Sequence, residues 1–223
     1  MIEATLIDHM GNDLTVVNAA RVSFGKKSKY TTLTKGFHSG EIIEVALPKR
    51  ETNLIKYLAN HGHYSPFGHC FASFHVKAPI FVARQLIKHK FLRWNEISRR
   101  YVDNEPEFYE PDEWRGRAED KKQGSTGVVE VEPACTTFSF YLTRVTYQKL
   151  LNAGVCPEQA RMVLPQSTMT EWYWSGSLDA FADMCNLRLK TDTQYETQLV
   201  AQQIDQVMLG LFPVSWEALV HNV

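Results

Sequence analysis

The sequence lacks the patterns that mark several common classes of protein. Its four cysteines form no CxxC pair and no zinc-finger spacing, which favours a reducing compartment over a disulfide scaffold. It contains no GxGxxG, GKS or GKT loop of the kind that cradles nucleotide phosphates. No apolar run approaches the length of a membrane span, and the first residues lack the features of a signal peptide. We therefore expect a soluble, cytoplasmic protein without a membrane partner.

The sequence also lacks an excess of either charge. It has 24 Lys and Arg side chains against 25 Asp and Glu, for a formal net charge of -1, and its pI is about 6.7. This balance argues against a general nucleic-acid binder. The remaining composition is 44% hydrophobic and 12% aromatic over 223 residues. It predicts a single domain, residues 1–223, with a sizeable core.

Positive charge is nevertheless concentrated in one stretch, Arg84 to Tyr101. This stretch holds six basic side chains, one histidine and a single acid, Glu96. Pro79 suits a helix start, and the apolar period over residues 80–90 predicts a helix with one packed face and one donor face. The packed face has Ile80, Val82, Ala83, Leu86 and Ile87, and the donor face has Arg84, Gln85, Lys88 and His89.

The residues of this stretch leave three interpretations open. A basic helix face followed by a loop is often simply solvated. Phe91 and Trp94, which stand between the cations, would suit a surface that stacks nucleic-acid bases. Alternatively, the charge together with Asn95, Ser98 and Arg100 suits a phosphorylated small molecule with a polar ring.

Elsewhere the periodicity predicts a mixture of strands and helices. Alternation predicts strands over residues 2–7 and 70–77, the second with Ala72, Phe74 and Val76 on one side. Helices are predicted from Thr52 or Asn53 to Gly62, and over residues 136–152, 158–164, 178–189 and 194–211. Residues 25–50 are expected to form a surface excursion, and residues 103–133 a loop.

Three histidines, His61, His63 and His69, lie close together in the sequence. No carboxylate or cysteine stands at a spacing that would complete a metal site, so we expect no metal and treat structural or surface histidines as the default. The aromatic run Trp172-Tyr173-Trp174 is expected in the core or at a subunit interface.

One spacing is more specific than these patterns. Lys88-His89-Lys90, followed by seven residues and Ser98, resembles the Arg-His-Arg-x7-Ser signature of the flavin-dependent thymidylate synthases. Both arginine positions of that signature hold lysine here. Three further segments are similar to the same family, namely His61-Gly-His63-Tyr-Ser65-Pro-Phe, Ala160-Arg161-Met-Val-Leu-Pro and Asn186-Leu-Arg188. The resemblance covers residues 10–24, 53–101 and 153–217.

The resemblance implies an α/β (α+β) fold with a central, mostly antiparallel sheet and long helices. It implies a homotetramer whose active sites lie between subunits. The implied reaction is the reductive methylation of dUMP to dTMP, with methylenetetrahydrofolate as carbon donor and NADPH as hydride source through FAD. That reaction uses no cysteine nucleophile, and none of the four cysteines here has an activating context. Nucleic acid is not an expected partner.

By the same resemblance, site residues are assigned from matching family positions. Arg188 is the expected catalytic residue, because fixed positive charge would polarise the uracil at N3 and make C5 electron-rich. The residues expected to bind dUMP are Arg84, Gln85, Lys88, Glu96, Ser98, Arg99, Arg100, Arg161 and Arg188. Those expected to bind FAD are His63, Ser65, Lys88, His89, Lys90, Glu96 and Asp183.

Departures from the family pattern bear mainly on the flavin. Lys88 and Lys90 keep the charge but lose the planar fork of arginine, which predicts weaker flavin retention. Gly68 stands where the family commonly has glutamate. Asparagine and arginine contacts of the family are replaced here by Ser177, Asp179 and Asp183, and Asp179 would repel a phosphate.

Two alternative functions are compatible with these departures. One is an FAD-binding relative that oxidises NADPH but has lost methylation. The other is a nucleic-acid-binding module that uses the segment from Arg84 to Arg100, which predicts strongly salt-dependent binding to any polynucleotide.

Overall fold

The computed structural model describes residues 1–35, 42–119 and 124–221. Its strands are β1 (Glu3–Met10), β2 (Thr31–Lys35), β3 (Ile42–Ala46), β4 (Phe71–Pro79), β5 (Arg93–Glu96), β6 (Arg115–Arg117), β7 (Ser125–Val128) and β8 (Met169–Ser177). Its α-helices are α1 (Asp13–Arg21), α2 (Lys49–Asn60), α3 (Ile80–Leu86), α4 (Pro133–Asn152), α5 (Pro157–Ala160), α6 (Leu178–Arg188), α7 (Tyr195–Leu211) and α8 (Pro213–Trp216). Short 3₁₀ turns lie at Val22–Phe24, Phe67–His69 and Arg161–Val163, and a π-helical turn at Glu217–His221.

A four-stranded antiparallel sheet in the order β1-β4-β8-β5 forms the centre of the fold. In the inner strand β4, alternate side chains are buried, among them Phe74 and Val76. Phe74 pairs with Leu6 of β1 and with Trp174 of β8, so large apolar side chains meet across the three strands. The predicted antiparallel sheet and the predicted buried side of β4 are confirmed.

Helix α6 covers the buried face of this sheet. Phe181 of α6 meets Phe74 at a ring-centroid distance of 5.3 Å and Trp174 at 5.6 Å. Trp172 and Trp174 are therefore core residues, whereas Tyr173 between them is 51% exposed. Of the two predicted locations for the aromatic run, the core is where its two tryptophans lie.

The helix predicted over residues 80–90 is shorter than expected, because α3 ends at Leu86. After that residue the chain turns, with His89 N donating to Leu86 O at 3.1 Å. Leu92 is buried, and Arg93 begins the pairing of β5 with Ser175 of β8. Pairing with a strand that is distant in sequence thus overrides the local helical period.

Other predicted helix boundaries also differ. α2 begins at Lys49 rather than at Thr52 or Asn53, because the Pro48 carbonyl already accepts from Glu51 N at 2.8 Å. The helix predicted over residues 158–164 is instead the short α5 followed by a 3₁₀ turn.

The polar segment of residues 103–133 is tied to the sheet. Tyr109 N donates to Ser167 O and Met169 N donates to Glu107 O, each at 2.8 Å. The segment also contains the β6–β7 hairpin, which the prediction of a loop did not include. Parts of this segment and of the excursion at residues 25–50 lie outside the described residues. Among the helices of the described ranges, none combines the length and apolar character needed to cross a bilayer.

Candidate functional site

Arg188 lies at the C-terminal end of α6, where this helix meets α3 and the turn after it. Its Nε donates to His89 Nε2 at 3.1 Å, and its Nη2 donates to the main-chain carbonyl of Gln85 at 3.0 Å. His89 must be neutral to accept this hydrogen bond. Burial, and then the charge of Arg188, lower the pKa of His89 to about 4. Two neighbours therefore fix the orientation of the guanidinium.

The side-chain amide of Gln85 is held by residues at the start of α7. Gln85 Nε2 donates to Gln194 Oε1, and Thr197 Oγ1 donates to Gln85 Oε1 at 3.2 Å. Thr197 is fully buried. The main-chain carbonyl of Gln85 also accepts from Arg188. One residue of α3 therefore connects the end of α6 to the start of α7.

Gln85, Lys88 and Arg188 line an open cavity of about 1120 Å³, which we call the Arg188 cavity. Aromatic side chains, among them Phe81 and Phe140, form part of its wall. A held guanidinium, an exposed lysine and an amide beside aromatic rings are groups that can bind an anion with a polar ring.

The same cavity is lined by a buried carboxylate, Glu196, which is 3% exposed. Glu196 Oε1 accepts from Arg115 Nη2 at 2.6 Å and from the Tyr109 hydroxyl at 3.5 Å. Burial, together with the charge of Glu196, raises the pKa of Tyr109 to about 12. Tyr109 is therefore a hydrogen-bond donor at neutral pH.

A second cavity of about 230 Å³, the Arg161 cavity, is lined by Glu96, Arg99 and Arg161. Glu96 accepts from Thr170 Oγ1 at 2.7 Å and from Trp94 Nε1 at 3.1 Å. Arg99 donates to the Asn104 carbonyl at 2.8 Å, and Arg161 to the Glu158 carbonyl at 3.2 Å. The two arginines share the wall of this smaller cavity with Lys77 and with four acids, Glu96, Glu105, Glu107 and Glu171, so its lining has no net positive charge.

Ser98 and Arg100 lie next to the Arg161 cavity along the chain. The Arg100 amide donates to Ser98 Oγ at 3.3 Å. Arg100 Nε lies 3.5 Å from the Glu158 carboxylate, and its guanidinium lies over the Tyr101 ring. Both residues of the Arg100–Glu158 pair are well exposed, so this pair contributes little to stability.

A third cavity of about 510 Å³, the Asp183 cavity, lies between the end of α2 and α6. Asp179, Asp183 and Asn186 share one face of α6 there, since they stand four and three residues apart. Burial and then the charge of Asp179 raise the pKa of Asp183.

Asp179 Oδ1 is buried and has no hydrogen-bond partner within the described part of the chain. A Cβ added at Gly68 would lie 3.9 Å from this oxygen, so there is room beside it. An unpartnered carboxylate oxygen suits a ligand hydroxyl or N–H and opposes an anion.

His63 and Ser65 are exposed and flank Tyr64, which lines the Asp183 cavity. The His63 ring lies 6.1 Å from that of Tyr57 and 6.4 Å from that of His61. Across the described ranges, no three His, Cys, Asp or Glu side chains converge as a metal site requires.

The predicted site residues are therefore divided among three places. The Arg188 cavity has Gln85, Lys88 and Arg188, the Arg161 cavity has Glu96, Arg99 and Arg161, and the Asp183 cavity has Asp183. Arg84 is exposed and donates to Gln166 at 3.4 Å, and Lys90 is also exposed. None of these three cavities collects all the residues predicted for dUMP or all those predicted for FAD.

Sequence reasoning missed the network in which the half-buried Tyr109 and Arg115 bind the buried Glu196, and also missed Thr197. An acid within the apolar spacing of α7 was a usable signal for Glu196, since a buried acid needs partners. Tyr109 and Arg115 gave no signal because they stand in an aperiodic polar segment.

Among the cysteines, burial raises the pKa of Cys70 to about 11 and that of Cys185 well above its ordinary value.

Comparison with known proteins gives a consistent result. The family model described as "Thymidylate synthase complementing protein" matches residues 5–214. A flavin-dependent thymidylate synthase of Thermus thermophilus is 38% identical over 215 residues, which are 96% of this chain and 73% of that protein. The enzyme of Thermosipho africanus is 36% identical over 218 residues, 96% of this chain and 88% of that protein.

Solved structures agree with these relatives. The crystal structure of a UMP/dUMP methylase, PolB from Streptomyces cacaoi, bound with 5-Br UMP, aligns with a TM-score of 0.79 and 29% identity. That alignment covers 98% of this chain and 93% of the other. The form bound with 5-Br dUMP has a TM-score of 0.77 and 31% identity, with 98% and 94% covered.

Proposed function

This chain belongs to the flavin-dependent thymidylate synthase family, and on that premise we propose that it catalyses the reductive methylation of dUMP to dTMP. Methylenetetrahydrofolate would supply the carbon, and NADPH the hydride through FAD. The family membership makes the chain a methyltransferase enzyme. The substrate, the donors and the role of each residue are the proposal.

The observation that carries the proposal is the fixed guanidinium of Arg188 beside Gln85 and Lys88 in an open cavity. A cation next to the uracil edge would stabilise negative charge as it develops on the ring, and so would make C5 nucleophilic without a cysteine. A well-placed donor of this kind lowers a barrier by about 3 kcal/mol. Neutral His89 supports this role, since it accepts a hydrogen bond from Arg188 without adding a second positive charge.

The residues proposed for FAD fit parts of the cofactor. FAD, when bound, would carry the hydride from NADPH toward the one-carbon unit. The carboxylates of the Asp183 cavity suit hydroxyl and N–H donors of a flavin, with His63 and Ser65 beside them. The phosphates need cations, and the exposed Lys88 and Lys90 can supply these as point charges.

The division of the predicted dUMP residues between two cavities supports a site shared by two copies of the chain. Arg188 and Gln85 would come from one copy, and Ser98, Arg100 and Arg161 from another. This agrees with the homotetramer that we propose from the family resemblance. A complete nucleotide site would then exist only in the assembly.

One observation favours a second candidate function. Asp179 and Asp183 face the cavity proposed for the flavin, and Lys88 and Lys90 replace the signature arginines. These changes suit a relative that binds FAD and oxidises NADPH but no longer methylates. The nucleic-acid-binding alternative has no comparable support, and a colourless protein that ignores FAD would favour it.

The test starts with an absorbance spectrum of the purified protein with and without added FAD. NADPH oxidation is then measured with dUMP, with UMP and without nucleotide, and the methylated product is quantified in the presence of methylenetetrahydrofolate. Flavin bands, oxidation stimulated by dUMP and formation of dTMP are expected. NADPH oxidation without any methylated product would support the second candidate function. Methylated product formed from UMP but not from dUMP would overturn the proposed substrate.

A further inference from the structure

The carboxylate of Glu96, which lines the Arg161 cavity, is held at both of its oxygens. Thr170 Oγ1 donates to Oε1 at 2.7 Å, and Trp94 Nε1 donates to Oε2 at 3.1 Å. The direction of both hydrogen bonds is unambiguous, because an ionised carboxylate only accepts and an indole N–H only donates. Two donors on two different oxygens therefore fix how the carboxylate is turned.

Both donors are themselves held in place. The Trp94 ring stacks on that of Trp172 with a centroid distance of 4.3 Å, and it lies roughly perpendicular to the Trp174 ring at 5.9 Å. Trp172 and Trp174 are core residues, and Thr170 is 5% exposed. Glu96 itself is exposed, and two hydrogen bonds leave its carboxylate with lone pairs to spare. A carboxylate that is oriented before a ligand arrives loses little freedom when it accepts a further hydrogen bond.

We propose that Trp94 and Thr170 are positioning residues that hold Glu96 as the acceptor for the sugar hydroxyl of dUMP. The inference rests on the proposed function, in which Arg161 of the same cavity binds this nucleotide. A carboxylate repels the phosphate of dUMP, and the uracil, with its N3–H, is proposed to lie in the Arg188 cavity. The hydroxyl at C3′ is the donor of dUMP that remains, and a carboxylate is its natural acceptor.

The test compares dUMP with 2′,3′-dideoxyuridine 5′-monophosphate, which lacks this hydroxyl, on the FAD-loaded proteins. Trp94→Phe keeps a ring that can stack on Trp172 and removes the N–H. Its Kd for dUMP should rise about fivefold, as expected when a side chain has to be ordered on binding, while its Kd for the dideoxy analogue should change little. Thr170→Val should act in the same direction, and Thr170→Ser, which keeps the hydroxyl, should resemble the wild type.

A further pair of variants separates positioning from packing. Glu96→Ala should remove the preference for dUMP over the dideoxy analogue. In the Glu96→Ala background, Trp94→Phe should leave the ratio of the two dissociation constants unchanged, because the indole N–H has no carboxylate left to hold. A tryptophan with only a structural role would instead weaken the binding of both nucleotides in both backgrounds, which would overturn the inference.

A wild-type protein that binds dUMP and the dideoxy analogue equally well would also overturn the inference. So would Trp94→Phe and Thr170→Val proteins that keep the full preference for dUMP, or that bind FAD more weakly and dUMP as before, since Glu96 would then serve the flavin. A wild-type protein that binds FAD but neither nucleotide is a different outcome, because it would overturn the proposed function itself.

Discussion

At the scale of single residues, Arg188 is the group whose removal should affect the chemistry most. The variant Arg188→Ala should lose about 100-fold or more in turnover with dUMP, because a fixed positive charge is lost where negative charge would develop. Its flavin content should change far less, since most residues proposed for FAD lie on other elements. Turnover and the flavin absorbance of the same preparation measure the two effects.

Two variants separate charge from geometry at this position. Arg188→Lys keeps the charge but loses the planar fork through which Arg188 contacts both His89 and Gln85, so an intermediate loss of turnover is expected. Arg50→Ala removes an exposed arginine of α2 and serves as the matched control. If Arg188→Ala retained turnover with unchanged dUMP affinity, Arg188 would have no catalytic role.

His89 should make stability depend on pH. Its pKa is lowered from 6.5 to about 4 in the folded protein, so the unfolded chain binds the proton more readily between these values. The free energy of unfolding should therefore be highest above about pH 6.5 and should fall as the pH drops toward 4, by on the order of 1–3 kcal/mol.

The variant His89→Gln isolates this contribution, because the glutamine carbonyl can accept from Arg188 but does not titrate. Urea unfolding at pH 7 and pH 4.5 measures the free energy of unfolding of both proteins. The decrease between the two pH values should be smaller in the variant, and equal decreases would exclude His89 as the source. Other histidines and carboxylates titrate in both proteins and cancel in this comparison.

At the scale of elements, Gly176 of β8 sets how closely the turn between α3 and β5 packs on the sheet. A Cβ at this position would collide with Leu92 Cδ2 and would lie 3.2 Å from the Phe91 carbonyl oxygen. Gly176→Ala should therefore destabilise the protein by about 1–3 kcal/mol. It should also weaken ligand binding, because this turn carries Lys88, His89 and Lys90.

Gly210→Ala provides the matched control within α7. A Cβ there meets nothing within 4 Å, and alanine is the better helix former by about 1 kcal/mol. Thermal unfolding should show a lower Tm for Gly176→Ala and an equal or higher Tm for Gly210→Ala. A Tm for Gly176→Ala equal to that of the wild type would show that Leu92 moves aside without cost.

The elements also show what the sequence could and could not predict. The strand β4 and the helices α6 and α7 were predictable because each keeps one buried face throughout, so its period survives in the sequence. The end of α3 at Leu86 was not predictable, since it depends on the burial of Leu92 and on the pairing of Arg93 with Ser175 of β8. For the same reason, motif matching gave candidate residues such as Gln85 and Arg188 but not Thr197, whose contact with Gln85 exists only once α3 and α7 are packed.

At the scale of the whole molecule, helix α4 is the element least explained by one chain. Of its 20 residues, only Tyr147 is buried, while Phe138 and Tyr141 are 62% and 61% exposed. A long helix that leaves large apolar side chains exposed is typical of a surface that packs against another copy. This observation agrees with the proposal that the complete site forms between chains.

Mixing two inactive variants tests that proposal directly. Arg188→Ala and Arg161→Ala affect different cavities of one chain. If each site takes Arg188 from one copy and Arg161 from another, a randomly mixed assembly contains some sites with both arginines. Co-expression should then restore about a quarter of wild-type turnover, since half of the pairs are mixed and one of their two sites is intact.

The control mixture combines Arg188→Ala with Arg188→Gln, because every site then lacks the same guanidinium whichever copy supplies it. This mixture should remain inactive, which excludes recovery caused by assembly alone. Mixed assemblies can be isolated with a different affinity tag on each variant, so their formation is measured independently of turnover. If isolated assemblies of Arg188→Ala with Arg161→Ala were also inactive, both arginines would have to act within one chain, and the two cavities would have to join by a rearrangement of that chain.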